Sequence, residues 1–145
     1  TQQGVELFVA SYQGRVAALD NRTGRKLWQQ NVSSVTGTHV GFGNVYVADV
    51  DGTLSAFLRT GQGVRWQNIE LGCRQLSRPT PVSSYVATVD FDGYLHLLSQ
   101  VDGQIVGRTK IGGDAARADM IADSGRLIIF ADNGQLLAYE LETLD

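Results

Sequence analysis

The sequence predicts an all-β fold, and three observations support that prediction. Four segments superpose without gaps, namely YQGRVAAL, VDGTLSAF, FDGYLHLL and DNGQLLAY. In each repeat an apolar run precedes a short turn centred on Gly and a second apolar run follows it, which is the pattern of a β-hairpin. The 145 residues also include 17 Gly and only 2 Pro, together with many short β-branched and aromatic stretches. This composition favours strands joined by tight turns over a helical bundle.

The repeat glycines have the spacing of propeller blades. They are Gly14, Gly52, Gly93 and Gly134, separated by 38, 41 and 41 residues. A four-stranded blade has about this length, whereas a leucine-rich repeat is much shorter. The sequence therefore predicts a partial β-propeller over residues 1–145, with about 3.5 four-stranded antiparallel blades. The repeat units lie at approximately 1–37, 38–77, 78–116 and 117–145.

The strands of each unit can be assigned from the same pattern. The runs VELFVA, VYVAD, YVATVD and LIIFAD are almost continuously apolar, which predicts second strands buried between neighbouring blades. THVGF, RPTPVSS and ADMIADS are predicted to be the innermost strands of the blades that follow. By this count the chain begins in the second strand of one blade and stops after the third strand of another. Since neither end carries polar caps, both are expected to expose apolar faces, and the chain is expected to form part of a larger ring.

Two tryptophans recur fourteen residues after their repeat glycines. Trp28 closes the stretch TGRKLW, and Trp66 closes TGQGVRW. An indole ring fills the gap between two blades while its nitrogen bonds to a backbone carbonyl, so we predict a packing role. The third unit has Gly107 here and must fill its gap in another way. The residues four after each glycine are mostly small, as in Ala18 and Ala56, which is expected where sheets stack tightly near the inner region of a ring.

Composition and charge exclude several classes of function. The hydrophobic fraction is 43% and the charged fraction 19%, which indicates a globular chain, and no apolar run approaches the roughly 18 residues of a membrane span. The net charge is −3 and the basic residues are scattered, so nucleic acid is not an expected partner. Cys73 is the only cysteine, which excludes an internal disulfide and a cysteine-based metal cluster.

No motif predicts a catalytic, cofactor-binding or metal-binding residue. The sequence D-x-D-G occurs twice, beginning at Asp49 and at Asp90, but a strand follows at once where a calcium loop would continue. A hairpin turn is the better interpretation. His39 and His96 have no second ligand at metal-binding spacing. A strand histidine that faces solvent or a neighbouring blade explains His96, although a role as general base stays open. There is no GxSxG elbow for a nucleophile.

The stretches ALDNRTGRKLWQQ and VATVDFDGYLHLLSQVDGQIVGRTKIGGD carry a resemblance to a known family. The chain resembles the quinoprotein-like propellers and, among them, the BamB lipoprotein family, of which it matches the C-terminal half. DGYLHLLSQVDGQIVGR, at 92–108, is the most specific segment. The resemblance implies a non-catalytic, eight-bladed propeller without a cofactor, tethered to the periplasmic face of the outer membrane by a lipid anchor absent from this chain. It also implies that the propeller helps BamA fold and insert β-barrel proteins, and that an N-terminal half or a second chain closes the ring.

The resemblance also implies a partner-binding site. Family members dock on a POTRA domain of BamA through loops of neighbouring blades, one of which reads Leu, Asp, Leu, Arg. The matching residues here are Leu19, Asp20, Asn21 and Arg22. Leu19 is then an apolar anchor and Arg22 a charge-assisted hydrogen-bond donor. Asn21 departs from the pattern, and Glu70 is a loose match to an acidic site of the next blade. Leu19 also holds the repeat's core position five residues after the glycine, so a packing role stays open.

Two alternatives of other classes remain open. The same architecture is found in quinoprotein dehydrogenases, which use pyrroloquinoline quinone and calcium. The sequence has neither an adjacent cysteine pair nor a convincing cluster of oxygen ligands for that chemistry. The other alternative is a purely structural arc that assembles with copies of itself, so that two four-blade arcs complete an eight-bladed ring.

Overall fold

Four antiparallel sheets follow one another along the chain in the computed structural model. The structure describes residues 2–3, 6–11, 13–32, 35–72, 75–111, 120–130 and 134–141. The first sheet contains β1 (Gln2–Gln3), β2 (Glu6–Ser11), β3 (Arg15–Asp20) and β4 (Lys26–Asn31). The second contains β5 (Val35–Gly41), β6 (Asn44–Asp49), β7 (Leu54–Leu58) and β8 (Val64–Asn68). The third contains β9 (Thr80–Val82), β10 (Tyr85–Val89), β11 (Tyr94–Ser99) and β12 (Ile105–Lys110). The fourth contains β13 (Ile121–Asp123), β14 (Arg126–Phe130) and β15 (Leu136–Glu140).

Each sheet is a meander in which neighbours in sequence are neighbours in space. The first strands of successive sheets, β5, β9 and β13, also contact one another from sheet to sheet. The sheets therefore converge at their first strands, as blades do around a ring axis, and the predicted propeller architecture is confirmed. Among the described residues there is no helix with the length and hydropathy that a membrane crossing needs. Cys73 lies outside the described residues.

The strand count predicted for the beginning of the chain was wrong. Gln2 and Gln3 form a first strand that pairs with β2, opposite Leu7 and Glu6 respectively. The first sheet is therefore four-stranded, and the described part of the chain holds three full sheets and three strands of a fourth. The pattern missed β1 because two polar residues carry no apolar signal. The edge strand is identified by its backbone pairing alone.

The repeated turn joins the second and third strands of every sheet. The four repeat glycines all have a left-handed backbone, with φ between +83° and +88°. In the second sheet, Asp49 Oδ1 accepts hydrogen bonds from the backbone N–H groups of Asp51 at 2.9 Å and Thr53 at 3.0 Å. Asp90 makes the equivalent pair of bonds in the third sheet. The D-x-D-G motif is thus a hairpin turn whose first carboxylate holds the backbone, as predicted.

Apolar cores lie between successive sheets. The residues at the second and fourth positions after a repeat glycine face the following sheet. The residue at the fifth position faces the preceding sheet. The three clusters are centred on Phe8, Val16, Val45 and Phe57, on Tyr46, Leu54, Trp66 and Leu98, and on Leu95, Ile111, Leu127 and Ile129. All of β6 and most of β10 are buried, which confirms the prediction for second strands with a neighbour on each side. On the fourth sheet Leu136 is 70% exposed and Phe130 is also exposed, so an uncovered apolar face is present there as expected.

The tryptophans connect each sheet to the turn of the next. Trp28 Nε1 donates to the carbonyl of Arg59 at 2.8 Å, and Trp66 Nε1 donates to the carbonyl of Gln100 at 2.9 Å. The predicted packing role is therefore confirmed. Two residues further on, the carboxamides of Gln30 and Asn68 donate to carbonyls in the same turns. Sequence reasoning missed this second bond, although a carboxamide two residues after each Trp was visible.

Cross-strand pairing explains the small residues of the third strands. Ala18 lies opposite Trp28, and Ala56 lies opposite Trp66. In the third sheet the sizes are exchanged, since Leu97 lies opposite Gly107 with its Cδ1 against the glycine. The expectation that tight stacking near the inner region requires these alanines was wrong, because the third strand is not the inner strand. The alanines leave room for an indole, and Leu97 fills the gap that Gly107 leaves.

Candidate partner-binding surface

The turn between β3 and β4 holds most of the predicted partner-binding residues. Asp20 shapes this turn, because its Oδ1 accepts hydrogen bonds from the backbone N–H groups of Arg22 at 2.8 Å and Thr23 at 3.3 Å. The N–H of Gly24 donates to the carbonyl of Asp20 and closes the turn, and Gly24 has a left-handed backbone with φ +74°. The Arg22 N–H is the main reason that the pKa of the Asp20 carboxyl lies below its ordinary value of 3.8. The turn is therefore pinned by a carboxylate that is ionised at neutral pH.

The side chains of this turn point outward to different degrees. The Arg22 side chain is 76% exposed, and its Nε lies 4.0 Å from Asp20 Oδ1, a loose surface ion pair. Asn21 is also exposed. Leu19 is half-buried, whereas its repeat counterparts Phe57 and Leu98 are buried against the preceding sheet. Because no described sheet precedes the first one, the side of Leu19 that its counterparts bury is not covered within the described structure.

Glu70 lies on a separate segment. In the second sheet, the turn at 59–63 between β7 and β8 is the counterpart of the turn at 21–25. Glu70 follows the other end of β8, away from that turn. Its N–H donates to Asn68 Oδ1 at 2.8 Å, and its exposed side chain lines a cleft of about 190 Å³ with Asp102, Gly103 and Gln104 of the third sheet. The structure therefore brings Leu19, Asn21 and Arg22 together and places Glu70 elsewhere.

His96 is enclosed in a buried polar network. Its Nε2 lies 2.7 Å from Asp90 Oδ2, and neither side chain is exposed to solvent. Arg108 Nε donates to His96 Nδ1 at 3.1 Å, which assigns the ring proton to Nε2 and the Nε2–H bond to Asp90. Both ring nitrogens are thus engaged, an arrangement that holds β11 and β12 together and leaves no nitrogen for a substrate. Within the described ranges, no group of three or more His, Cys, Asp or Glu residues is placed to hold a metal ion.

Comparisons with known sequences identify related proteins. A family model described as outer membrane protein assembly factor BamB matches residues 1–68. A curated protein of that name from Pseudomonas aeruginosa is 48% identical over 114 residues, and one from Marinobacter adhaerens is 34% identical over 111 residues. These alignments cover 79% and 77% of this chain but only 30% and 28% of the relatives. The chain thus spans about three tenths of the length of the relatives.

A solved structure agrees with the sequence comparisons. The crystal structure of BamB from Moraxella catarrhalis superposes with a TM-score of 0.84 at 28% identity, over 97% of this chain and 42% of that one. The relatives are named as assembly factors, which agrees with the prediction that this chain is not an enzyme. Sequence and fold together show that the chain belongs to the BamB family of outer membrane protein assembly factors.

Proposed function

We propose that this chain supplies a docking surface through which a BamB-type assembly factor binds a POTRA domain of BamA at the periplasmic face of the outer membrane. Docking there would assist the folding and insertion of β-barrel proteins, and the membrane contact would come from a lipid anchor. The observation that carries the proposal is the Asp20-pinned turn, which presents Arg22 with its side chain 76% exposed. A rigid turn lowers the entropic cost of binding, and an exposed Arg is the residue type most often enriched at interface hot spots.

The four residues contribute unequally to this proposal. Arg22 offers a planar set of donors to a carboxylate or carbonyl of the partner, and Asn21 beside it offers a carboxamide. Leu19 would add apolar contact at the base of the turn, where it is half-buried. Glu70, which lines a cleft with Asp102, would provide a second and acidic contact. Since Glu70 lies on a different segment, both contacts require a partner that reaches from the turn at 21–25 of the first sheet to the segment that follows β8 of the second.

The test is direct binding of this chain to the purified POTRA domains of BamA, measured by interferometry. We expect Arg22→Gln to weaken binding about tenfold or more, as loss of an interface arginine typically does. Leu19→Ala combined with Arg22→Gln should abolish it. Arg15→Gln is the matched control, because it removes the same charge from an exposed position at the other end of β3. Glu70→Gln separately tests the acidic contact.

Three results would count against the proposal. Unchanged affinity of the Leu19→Ala, Arg22→Gln variant, with an unchanged thermal unfolding midpoint, would show that the site is assigned to the wrong turn. Absence of binding by the unmodified chain would contradict docking through this part of the propeller. An equal loss of affinity for Arg15→Gln and Arg22→Gln would show that the effect comes from the net charge and not from the Arg22 turn.

A further inference from the structure

A cleft between the second and third sheets is formed at the same end of the sheets as the Arg22 turn. It has a volume of about 260 Å³ and is bordered by the β5–β6, β9–β10 and β11–β12 turns together with β8. The lining residues are Phe42, Asn44, Arg65, Ser84, Gln100 and Val101. Both walls belong to sheets that are paired within this chain, so the cleft is not the uncovered face of a terminal sheet. None of these residues was predicted from the sequence as a site residue.

The floor of the cleft is a continuous chain of hydrogen bonds between the two sheets. Asn44 Nδ2 donates to the Tyr46 hydroxyl at 3.1 Å, and that hydroxyl donates to Gln100 Oε1 at 3.1 Å. Gln100 Nε2 donates in turn to the carbonyls of Ser83 and Tyr85, at 2.9 and 3.0 Å. Burial raises the pKa of the Tyr46 phenol, so it remains a neutral donor at physiological pH. Because these groups satisfy one another, the floor is rigid and presents no buried group that needs a ligand.

Arg65 is the one charged residue among those that line the cleft. Its Nε donates to Asn44 Oδ1 at 2.8 Å, which fixes the plane of the guanidinium group above the floor. The described structure gives Arg65 no other hydrogen bond and no ion pair. Its terminal amino groups therefore stay available in a fixed orientation. A fork of this kind is suited to a carboxylate, which accepts two parallel N–H bonds.

Two exposed apolar side chains stand beside this arginine. Phe42 is 67% exposed and has a left-handed backbone, with φ +52°. The same turn position holds Ser83 and Ser124 in the third and fourth sheets, at φ +51° and +52°. A bulky aromatic residue is unusual in this conformation, and such strained residues cluster where a side chain has a binding role. Val101, across the cleft, is 79% exposed.

We propose that this cleft docks an extended peptide segment of a partner protein, in which apolar side chains flank an Asp or Glu. The carboxylate would pair with the terminal amino groups of Arg65, and the neighbouring apolar side chains would cover Phe42 and Val101. The cleft's single positive charge and its two apolar walls complement such a segment in charge and in polarity. The site shares no residue with the Arg22 turn, so it stands or falls independently of docking on BamA.

The test uses a pair of fluorescein-labelled peptides, GSFEFSG and GSFQFSG, whose binding to this chain is followed by fluorescence anisotropy. GSFEFSG should bind saturably, and GSFQFSG should bind at least about tenfold more weakly because it lacks the charge-assisted bonds. Arg65→Gln should remove the difference between the two peptides. Phe42→Ser should weaken the binding of both peptides by the same factor. It introduces the residue that occupies this position in two other turns. Arg15→Gln, a change of the same charge at a remote position, should leave both affinities unchanged.

Several results would overturn the proposal. Equal affinities for the two peptides, no binding of either, or a preference for GSFEFSG that survives Arg65→Gln would each do so. If Arg65→Gln altered the far-UV circular dichroism spectrum, Phe42→Ser would serve as the deciding variant, and unchanged affinity would refute the site. Displacement of bound GSFEFSG by the POTRA domains of BamA would overturn the claim that the cleft is independent of the Arg22 turn. If the POTRA domains displaced the peptide from the wild type but not from Arg22→Gln, the cleft and the Arg22 turn would belong to one interface, which would also overturn that claim.

Discussion

The contact between Trp66 and Gly103 allows the connection between sheets to be tested by a double-mutant cycle. A Cβ added at Gly103 would overlap the Trp66 ring, and the glycine itself has φ +75°. Gly103→Ala should therefore lower the free energy of unfolding by about 1–2 kcal/mol because of the left-handed backbone. Overpacking against the ring should lower it by about 1–3 kcal/mol more. Trp66 is 7% exposed and loses its bond to Gln100 on truncation, so Trp66→Ala should cost about 3–5 kcal/mol.

The two substitutions should not be additive. Once Trp66 is truncated, the alanine at position 103 has no ring to overlap, and only the backbone cost of about 1–2 kcal/mol should remain. The expected coupling energy is thus about 1–3 kcal/mol, in the direction that makes the double variant more stable than the sum of the single costs predicts. Gly24→Ala is the matched control, because Gly24 has φ +74° and no heavy atom within 4 Å of the added Cβ.

Urea unfolding followed by far-UV circular dichroism measures all of these free energies. Trp66→Leu replaces Trp66→Ala if the latter does not give a cooperative transition. The reasoning fails if Gly103→Ala costs no more than Gly24→Ala, since the overlap would then be absorbed without strain. It also fails if Gly103→Ala costs the same with and without the tryptophan.

Three further predictions concern the other features of the fold. His96→Leu should lower the free energy of urea unfolding by about 1.5–3 kcal/mol, because the buried Asp90 Oδ2 loses the hydrogen bond from the Nε2–H of His96; a loss below about 1 kcal/mol would contradict the assigned network. Phe42→Asn should raise the free energy of unfolding by about 1 kcal/mol, since Asn tolerates φ +52° better than Phe does, and a decrease would show that Phe42 is not strained. Asp20→Asn should be less stable than the wild type at neutral pH. Because the pKa of Asp20 is lowered in the folded state, that difference should be present above pH 3.8 and should vanish as the pH falls through the lowered pKa, whereas a difference independent of pH would argue against the Arg22 N–H as its cause.

Features that follow from periodicity could be predicted from the sequence. The hairpin turns at Gly52 and Gly93 follow from the Asp-Gly pattern, because few residues other than Gly adopt the left-handed backbone that these turns need. The bonds of Trp28 and Trp66 to carbonyls follow from the need of a buried indole N–H for an acceptor. Both rules act over a few residues, so a single sequence suffices to apply them.

Features that depend on pairing across strands could not be predicted in the same way. The match of Leu97 with Gly107 requires the register of β11 and β12, which shifts at an irregularity between Leu97 and Leu98. The same register brings Arg108 to His96, and the hairpin turn brings Asp90 to the other side of the ring. In the sequence alone His96 is an isolated histidine, and its burial becomes visible only when two strand positions and one turn position are combined.

The repeats also supply a physical criterion for separating structural exceptions from functional ones. Gly107 departs from the tryptophans of the other sheets, but Leu97 fills the space and the exception is resolved inside the fold. Phe42 also departs from its repeat counterparts Ser83 and Ser124, yet it is exposed and no side chain compensates for it. Val101, across the cleft, is likewise exposed. An exposed apolar side chain gains nothing from folding, and Phe42 adds backbone strain. An exception that the fold leaves uncompensated is explained by a partner that covers it, and the exposed Phe42 therefore favours the cleft at Arg65 as a site in its own right.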